Sequence, residues 1–459
     1  MSGGPGGGRV VVIGGGLAGI TAALRCADGG REVTLLEGRP RLGGLTYSFR
    51  RDGLDVDNGQ HVFLRCCTAY RALLDRLGVA DQVHLQGRLD IPVRSAADGR
   101  AARLRRNGLP APLHLGSALL GYRLLRPAQR LRFVRAALAM RRLDRAAPAV
   151  DERSFGDWLR SRGQDARTVE ALWDLVGVAT LNARADDASL ALAAMVFQVG
   201  LLTDPGAADI GWSLVPLQRL HGDAAAARLG AAGATVHTAT RVTHLSARAG
   251  GWQVSTGTGE YMADQVVLAV APIAVRALAP PGAVSAPAGW ADRLGSSPIV
   301  NVHVVLDRWV LEEPFVAAVG SPVQWVFDRT RQSGLAVGQY LAVSLSAAEA
   351  WVDLPVAAIR DKLLPELARL LPGFAAASVI DFFVTRERDA TFRPAPGSRA
   401  LRATTVSGLP GLFLAGAWTD TGWPATMEGA VRSGDAAARA LLHGGTVPTD
   451  HTDREEVAA

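Results

Sequence analysis

Cysteine is scarce: Cys26, Cys66 and Cys67 are the only three in 459 residues. An odd count with two neighbours builds no disulfide framework, which predicts a reducing, cytoplasmic setting. Lysine is scarcer still, Lys362 being the single one among 49 basic residues. Against 43 acidic residues this leaves a formal net charge of +6. So modest an excess does not point to nucleic acid, and neither zinc-finger spacing nor an aromatic RNA-binding pattern is present. The absence of HExxH and CxxC predicts no metal site. Long apolar runs are missing too. The longest, residues 188–202, is interrupted by Gln198 and falls short of the roughly 20 residues that span a bilayer. Residues 1–8 lack the basic start of a signal peptide. What remains, 48% hydrophobic and 20% charged, is the composition of an ordinary globular chain. Its length suits two to four domains or one large interleaved pair, at roughly 100–200 residues per domain.

The first informative stretch is residues 9–37. A β-branched run, Arg9–Ile13, leads into Gly14-x-Gly16-x-x-Gly19, then a helical pattern over 17–27, then an apolar strand ending at Glu37. In such a motif the first glycine permits the tight turn. The second admits a pyrophosphate close to the backbone, and the third lets the helix pack on the sheet. The helix N-terminus offers free N–H groups to the phosphate, and Glu37 can accept from ribose hydroxyls. A second glycine pair, Gly43-Gly44, follows closely. Far downstream, the apolar strand at 411–416 ends in Gly416 and runs through Asp420 and Trp423 into a helical pattern predicted over 424–442. A helix starting there would point its positive end at the negative edge of a reduced flavin. No second GxGxxG follows a strand, so no built-in nicotinamide site is expected.

Together these blocks resemble the amine oxidase and carotenoid desaturase superfamily of FAD enzymes. Three stretches more narrowly resemble the hydroxysqualene dehydroxylases, the squalene-associated FAD-dependent desaturases. They are Asp57-Asn58-Gly59-Gln60-His61-Val62, Ser297-Pro298-Ile299-Val300-Asn301-Val302-His303, and the C-terminal block around 416–434. The likeness runs over most of 9–442. It implies an α/β fold, a Rossmann-type FAD-binding domain with an inserted mixed α+β substrate domain. The FAD domain is expected over 1–92, 205–275 and 400–445, the substrate domain over 93–204 and 276–399, and a disordered tail over 446–459. The cofactor implied is FAD. Its contacts are expected at Gly14, Gly16, Leu17, Ala18, Gly19, Glu37, Gly38, Arg39, Gly43, Gly44, Gln60, His61, Val242, Gly416, Thr426, Met427, Glu428 and Gly429. Two positions depart from the superfamily pattern: Leu45 stands where an Arg often follows the glycine pair, and Ala417 where an acid often follows Gly416.

The reaction implied replaces an allylic C–O bond of hydroxysqualene by C–H, giving squalene for hopanoid-type triterpenoids, with hydride from reduced flavin. It needs a proton for the departing hydroxyl. His61 and Asp420 are the candidates, and Trp423 is the candidate substrate contact. Each also has a plain structural reading, as a turn, a helix entry and a core ring respectively. The same FAD blocks would serve a carotenoid desaturase or an amine oxidase, and the fold alone would serve a lipid-carrying escort. The substrate class is an apolar isoprenoid. Residues 117–143 interleave Arg with Leu, Phe, Val and Met at helical spacing, with Pro127 expected to kink or split that helix. That face could touch an anionic membrane peripherally or pack on its own domain. Residues 188–202 are expected as core.

Overall fold

The computed structural model describes residues 8–444, so the tail expected over 446–459 lies outside the described residues. A five-stranded, all-parallel sheet carries the glycine motif. Its order is Thr235–His237, Glu32–Leu36, Arg9–Ile13, Gln265–Leu268 and Leu412–Leu414. The strands come from distant parts of the chain; the inner ones are short apolar runs buried on both faces, and the edge strand Thr235–His237 is partly exposed. Alternate residues of Arg9–Ile13 go to opposite sides. Val10 and Val12 pack beneath the helices Leu17–Asp28 and Met427–Leu442, with Ile20, Leu24, Val431 and Leu441. Val11 and Ile13 meet a second layer holding Leu245, Trp252 and Val254, from the antiparallel meander 242–263, and helix Leu190–Phe197.

The second unit is a seven-stranded mixed sheet. Its order is Val379–Phe392, Ser296–Leu306, Gln339–Leu345, Trp325–Asp328, Phe315–Val319, Asp90–Ser95 and Ala101–Arg105. Asp90–Ser95 pairs along most of its length with Ala101–Arg105, so the strand straddles the expected boundary at 92/93 and belongs to this sheet. In Ser296–Leu306 the even positions Val300, Val302, Val304 and Leu306 face helix Val356–Leu370, through Ile359, Leu363 and Leu367. The sequence pattern suggests a half-buried strand. In fact the odd face is buried as well, because the hairpin Ser48–Arg51 and Leu54–Asp57 closes over it and brings Val56 against Val305, Tyr340 and Phe383.

Residues 235–242 read in sequence as one strand; the chain instead forms two, Thr235–His237 and Val242–Arg248, because it turns between them with Ala239 at φ +53°. At Pro127 the chain takes the split: the stretch over 117–143 is two helices, Gly116–Gly121 and Pro127–Met140. Pro127 occupies the first turn of the second one, where its missing N–H costs nothing, and so starts a helix rather than bending one. The C-terminal helix begins at Met427 rather than near Pro424, since the Thr426 hydroxyl accepts from Gly429 N and caps it there. Residues 188–202 are core over most of their length, as expected.

Candidate active site

The two glycine segments form one cradle. Gly43 N donates to Gly15 O at 2.9 Å. Gly44 lies at φ +59°, and a Cβ there would sit 2.8 Å from Gly16 Cα. A side chain at Gly19 would come within 1.8 Å of Gly14 O, so the helix can seat on the turn only with glycine there. The Glu37 carboxylate takes Gly15 N at 2.6 Å through Oε2 and Arg39 N at 2.7 Å through Oε1. That anchors the acid at the loop while leaving lone pairs for further donors. Leu17 and Ala18, behind Gly16, are buried in the first turn. Gly16 caps the helix with no side-chain bond, and the first turn holds no acid. Its N–H groups and dipole are left for an anion, so these residues fit the diphosphate of a dinucleotide.

Gly38 packs against Arg241, and Thr240 N donates to Glu37 O at 2.8 Å. The turn before Val242 therefore lies beside this acid, while the Val242 side chain is buried. At the other end, Gly416 N donates to Ser433 Oγ at 2.8 Å, and Met427 begins the helix that follows. No carboxylate stands after Gly416. Trp418 turns inward instead, donates from Nε1 to Val270 O at 3.0 Å and stacks on Trp290. Glu428 is fully committed elsewhere. Its carboxylate takes Ala69 N and Tyr70 N, at 3.1 and 2.7 Å, and Arg432 Nε at 2.7 Å. It thus caps helix Thr68–Leu77, and only its backbone is left for a cofactor. Gly429 donates to the Thr426 cap.

The blocks 57–62 and 297–303 dock on each other. Asn301 Nδ2 and Thr385 Oγ1 both donate to Asn58 O, at 3.3 and 3.0 Å. The Asp57 carboxylate takes Ser48 Oγ and Leu217 N through Oδ1, and Arg329 Nη2 at 2.5 Å through Oδ2. That pair is buried, with side-chain exposures of 6% and 8%. Behind it, Tyr340 hydroxyl and His303 Nδ1 are 2.7 Å apart, and His303 Nε2 and Thr385 Oγ1 3.0 Å. One assignment satisfies the chain: Tyr340 donates to a neutral His303, which donates to Thr385, which donates to Asn58. Burial supports it, pushing His303 down to about 3. Asn301 Oδ1 stays without a partner.

Sequence reasoning singled out Asp57 and Asn58 as neighbours of His61. Both brace the joint, Asp57 through its carboxylate and Asn58 through its carbonyl. His61 Nδ1 lies 3.1 Å from Gly59 O. Desolvation lowers its pKa, opposed by the Gly59 carbonyl and Asp57 and reinforced by Arg329. Sequence reasoning missed His221, fully buried with Nε2 2.8 Å from the Tyr70 hydroxyl and pushed down to about 3 by burial. It also missed Arg402, whose guanidinium holds the C-terminal loop by donating to the carbonyls of Trp418, Thr419 and Trp423, at 3.2, 2.5 and 2.8 Å. Among 49 basic residues neither the type nor the spacing marks it out. Asp420 is not beside Gly416's helix partner but near Arg402, at 3.8 Å. Trp423 is half-buried, with Arg432 over its ring at 4.9 Å.

A dinucleotide cradle joined to a second, substrate-sized sheet defines a flavoprotein oxidoreductase that uses FAD. The chain belongs to the flavin containing amine oxidoreductase family, whose pattern matches residues 17–442. It is 28% identical over 466 residues to a hydroxysqualene dehydroxylase of Rhodopseudomonas palustris (strain ATCC BAA-98 / CGA009), covering 95% of this chain and 99% of that one. It is 27% identical to another from Sinorhizobium fredii (strain NBRC 101917 / NGR234), covering 95% and 98%. Among solved structures it superposes on a putrescine oxidase triple mutant with a TM-score of 0.73 at 19% identity, covering 95% and 99%. That last likeness concerns the fold.

Proposed function

We propose that this protein removes the hydroxyl of hydroxysqualene reductively, giving squalene. The observation that carries the reading is the docking of 57–62 on 297–303, the two stretches that set this chain apart within its superfamily, directly beside the glycine cradle. The near full-length similarity to two hydroxysqualene dehydroxylases supports it.

The residues expected at the cofactor fit FAD: Gly14–Gly19 and Gly43-Gly44 touch, Glu37 is anchored on that loop, and the helix from Leu17 leaves its first N–H groups free. Bound and reduced, FAD would supply hydride to the allylic carbon. The chain must hold an apolar substrate, exclude water and bring a proton to the departing hydroxyl. In this reading His61 takes that last task. Its Nδ1–H donates to Gly59 O, which leaves Nε2 as the working nitrogen. Because burial lowers its pKa, the cationic, proton-donating form gains only on the acid side. Turnover limited by this proton therefore rises as pH falls, and His61→Gln flattens that limb. Trp423 borders the substrate side. The exposed Leu120, Leu131 and Leu138, next to Arg126, Arg130, Arg135 and Arg142, support peripheral contact with an anionic membrane.

The test is anaerobic. The purified holoenzyme is photoreduced, mixed with hydroxysqualene, and followed by flavin absorbance and product analysis. Flavin reoxidation with squalene formed is expected. Inertness to hydroxysqualene with bleaching of the oxidised enzyme by a polyene or an amine would replace this reading by desaturation or amine oxidation.

A further inference from the structure

A cavity of about 920 Å³ opens beside the C-terminal loop, bordered by Thr421 and Trp423. No residue of the two glycine segments lines it, so it is not the diphosphate cradle. One wall is aliphatic, with Ala191, Leu192 and Val199, and another carries arginines. Among those, Arg65 is paired with Asp209 and Arg432 with Glu428. Of the other four, Arg71 donates to Arg65 O and Arg402 has Asp420 beside it, while the guanidinium groups of Arg145 and Arg399 have no carboxylate partner among the described residues. The Arg399 guanidinium donates to the carbonyls of Ala146 and Arg145. Arg402 has three carbonyls and one carboxylate, Asp420, at 3.8 Å. The Arg145 side chain makes no hydrogen bond or ion pair among the described residues; only its carbonyl is used, by Arg399.

Asp420 faces Arg402, and the other acids on the rim pair with neither the Arg145 nor the Arg399 guanidinium. Asp151 is buried and taken by Ser189 Oγ and Arg399 N. Asp144 accepts from Ala146 N and Asp204 from Gly206 N, each closing its own turn. Arg145 is pulled down first by burial and then by Arg399, against Asp144, and Arg402 is lowered to about 10 by burial, against Asp420 and Asp151. Partly desolvated like charges such as Arg145 and Arg399, with no carboxylate on either guanidinium, are a cost that a bound anion removes.

We propose that this cavity binds an anionic amphiphile, a phosphate-class head on the Arg145, Arg399 and Arg402 side and an aliphatic chain along Ala191, Leu192 and Val199. Guanidinium forks match phosphate oxygens in geometry and charge, and the aliphatic wall gives a chain somewhere dry to lie. The head can belong to a free prenyl or alkyl phosphate or to a bilayer lipid. The inference does not rest on hydroxysqualene being the substrate, since its readout is binding.

The experiment titrates the holoenzyme calorimetrically with dodecyl phosphate, below its micelle concentration, and with dodecanol. Binding of the phosphate at least about tenfold tighter than the alcohol is expected, as one charge-assisted contact supplies that much. Arg145→Gln, which removes no internal bond, is expected to weaken the phosphate by about tenfold while leaving the alcohol and the melting temperature unchanged. Equal binding of both probes, or an Arg145→Gln variant that binds the phosphate as well as the parent, would overturn the site. Pelleting with phosphatidylglycerol against phosphatidylcholine vesicles separates the sources. Loss of phosphatidylglycerol binding in Arg145→Gln assigns the head to a bilayer lipid. Unchanged vesicle binding with lost dodecyl phosphate binding assigns it to a free ligand. Both support the anion site.

Discussion

The cradle around Gly14–Gly19 and Gly43-Gly44 is made of backbone, whereas the joint around Asp57–His61 is made of buried polar side chains. The cradle tolerates nothing added, because its parts touch through Cα and carbonyl atoms. The joint is sensitive to removal, because apart from Asn301 Oδ1 its buried polar groups each depend on a named partner. One region is specified by the absence of side chains over a few residues. The other is specified by pairs separated in sequence by 243 and 272 positions.

Breaking each region in its own way sharpens the contrast. The largest effect is expected from Gly19→Val, which would put a side chain on Gly14 O. We expect no FAD-retaining protein, read as loss of the flavin absorbance of the purified chain. Next is Asp57→Ala, which strands the buried Arg329 cation. A loss of about 3–5 kcal/mol in chemical denaturation is expected. The double replacement Asp57→Leu with Arg329→Met should recover much of it, and a double variant as unstable as the single one would show that the pair is not the source. The third effect is acid lability. His303 and His221 titrate near 6.5 when unfolded and near 3 when folded. The unfolded chain therefore binds more protons between those values. Stability is full above about pH 6.5 and falls as pH drops toward 3, by a few kcal/mol per ring. Melting curves from pH 8 to pH 4 check this, and His303→Gln should flatten part of the slope. The smallest effect is Thr426→Ala, which uncaps the C-terminal helix for about 1 kcal/mol, measured by denaturant midpoint.

Legibility followed the same divide. The parallel strands, the first helix and the glycine turn could be read directly, since Arg9–Ile13 and Gly14–Gly19 carry their reasons within a dozen residues. The family stretches 57–62 and 297–303 were legible as blocks, but not what their residues do where they dock. Asp57 and Asn58 look like a turn in sequence and serve as anchors for Arg329, Asn301 and Thr385. Glu428 looks like a cofactor residue at a helix start, and its carboxylate caps another helix, from Thr68. Pro127 reads as a kink or a split until the helix before it is seen to end at Gly121.

The sequence by itself determined the class of fold and the cofactor, because a glycine turn between a strand and a helix is a local solution to holding a diphosphate. Only the tertiary structure decided which polar residues brace and which stay free. It placed Arg402 behind the C-terminal loop, closed the hairpin 48–57 over the odd face of Ser296–Leu306, and gathered Arg145 and Arg399 at one cavity. The physical reason is that burial and pairing depend on what distant segments bring, and a side chain's task changes when its partner comes from far along the chain.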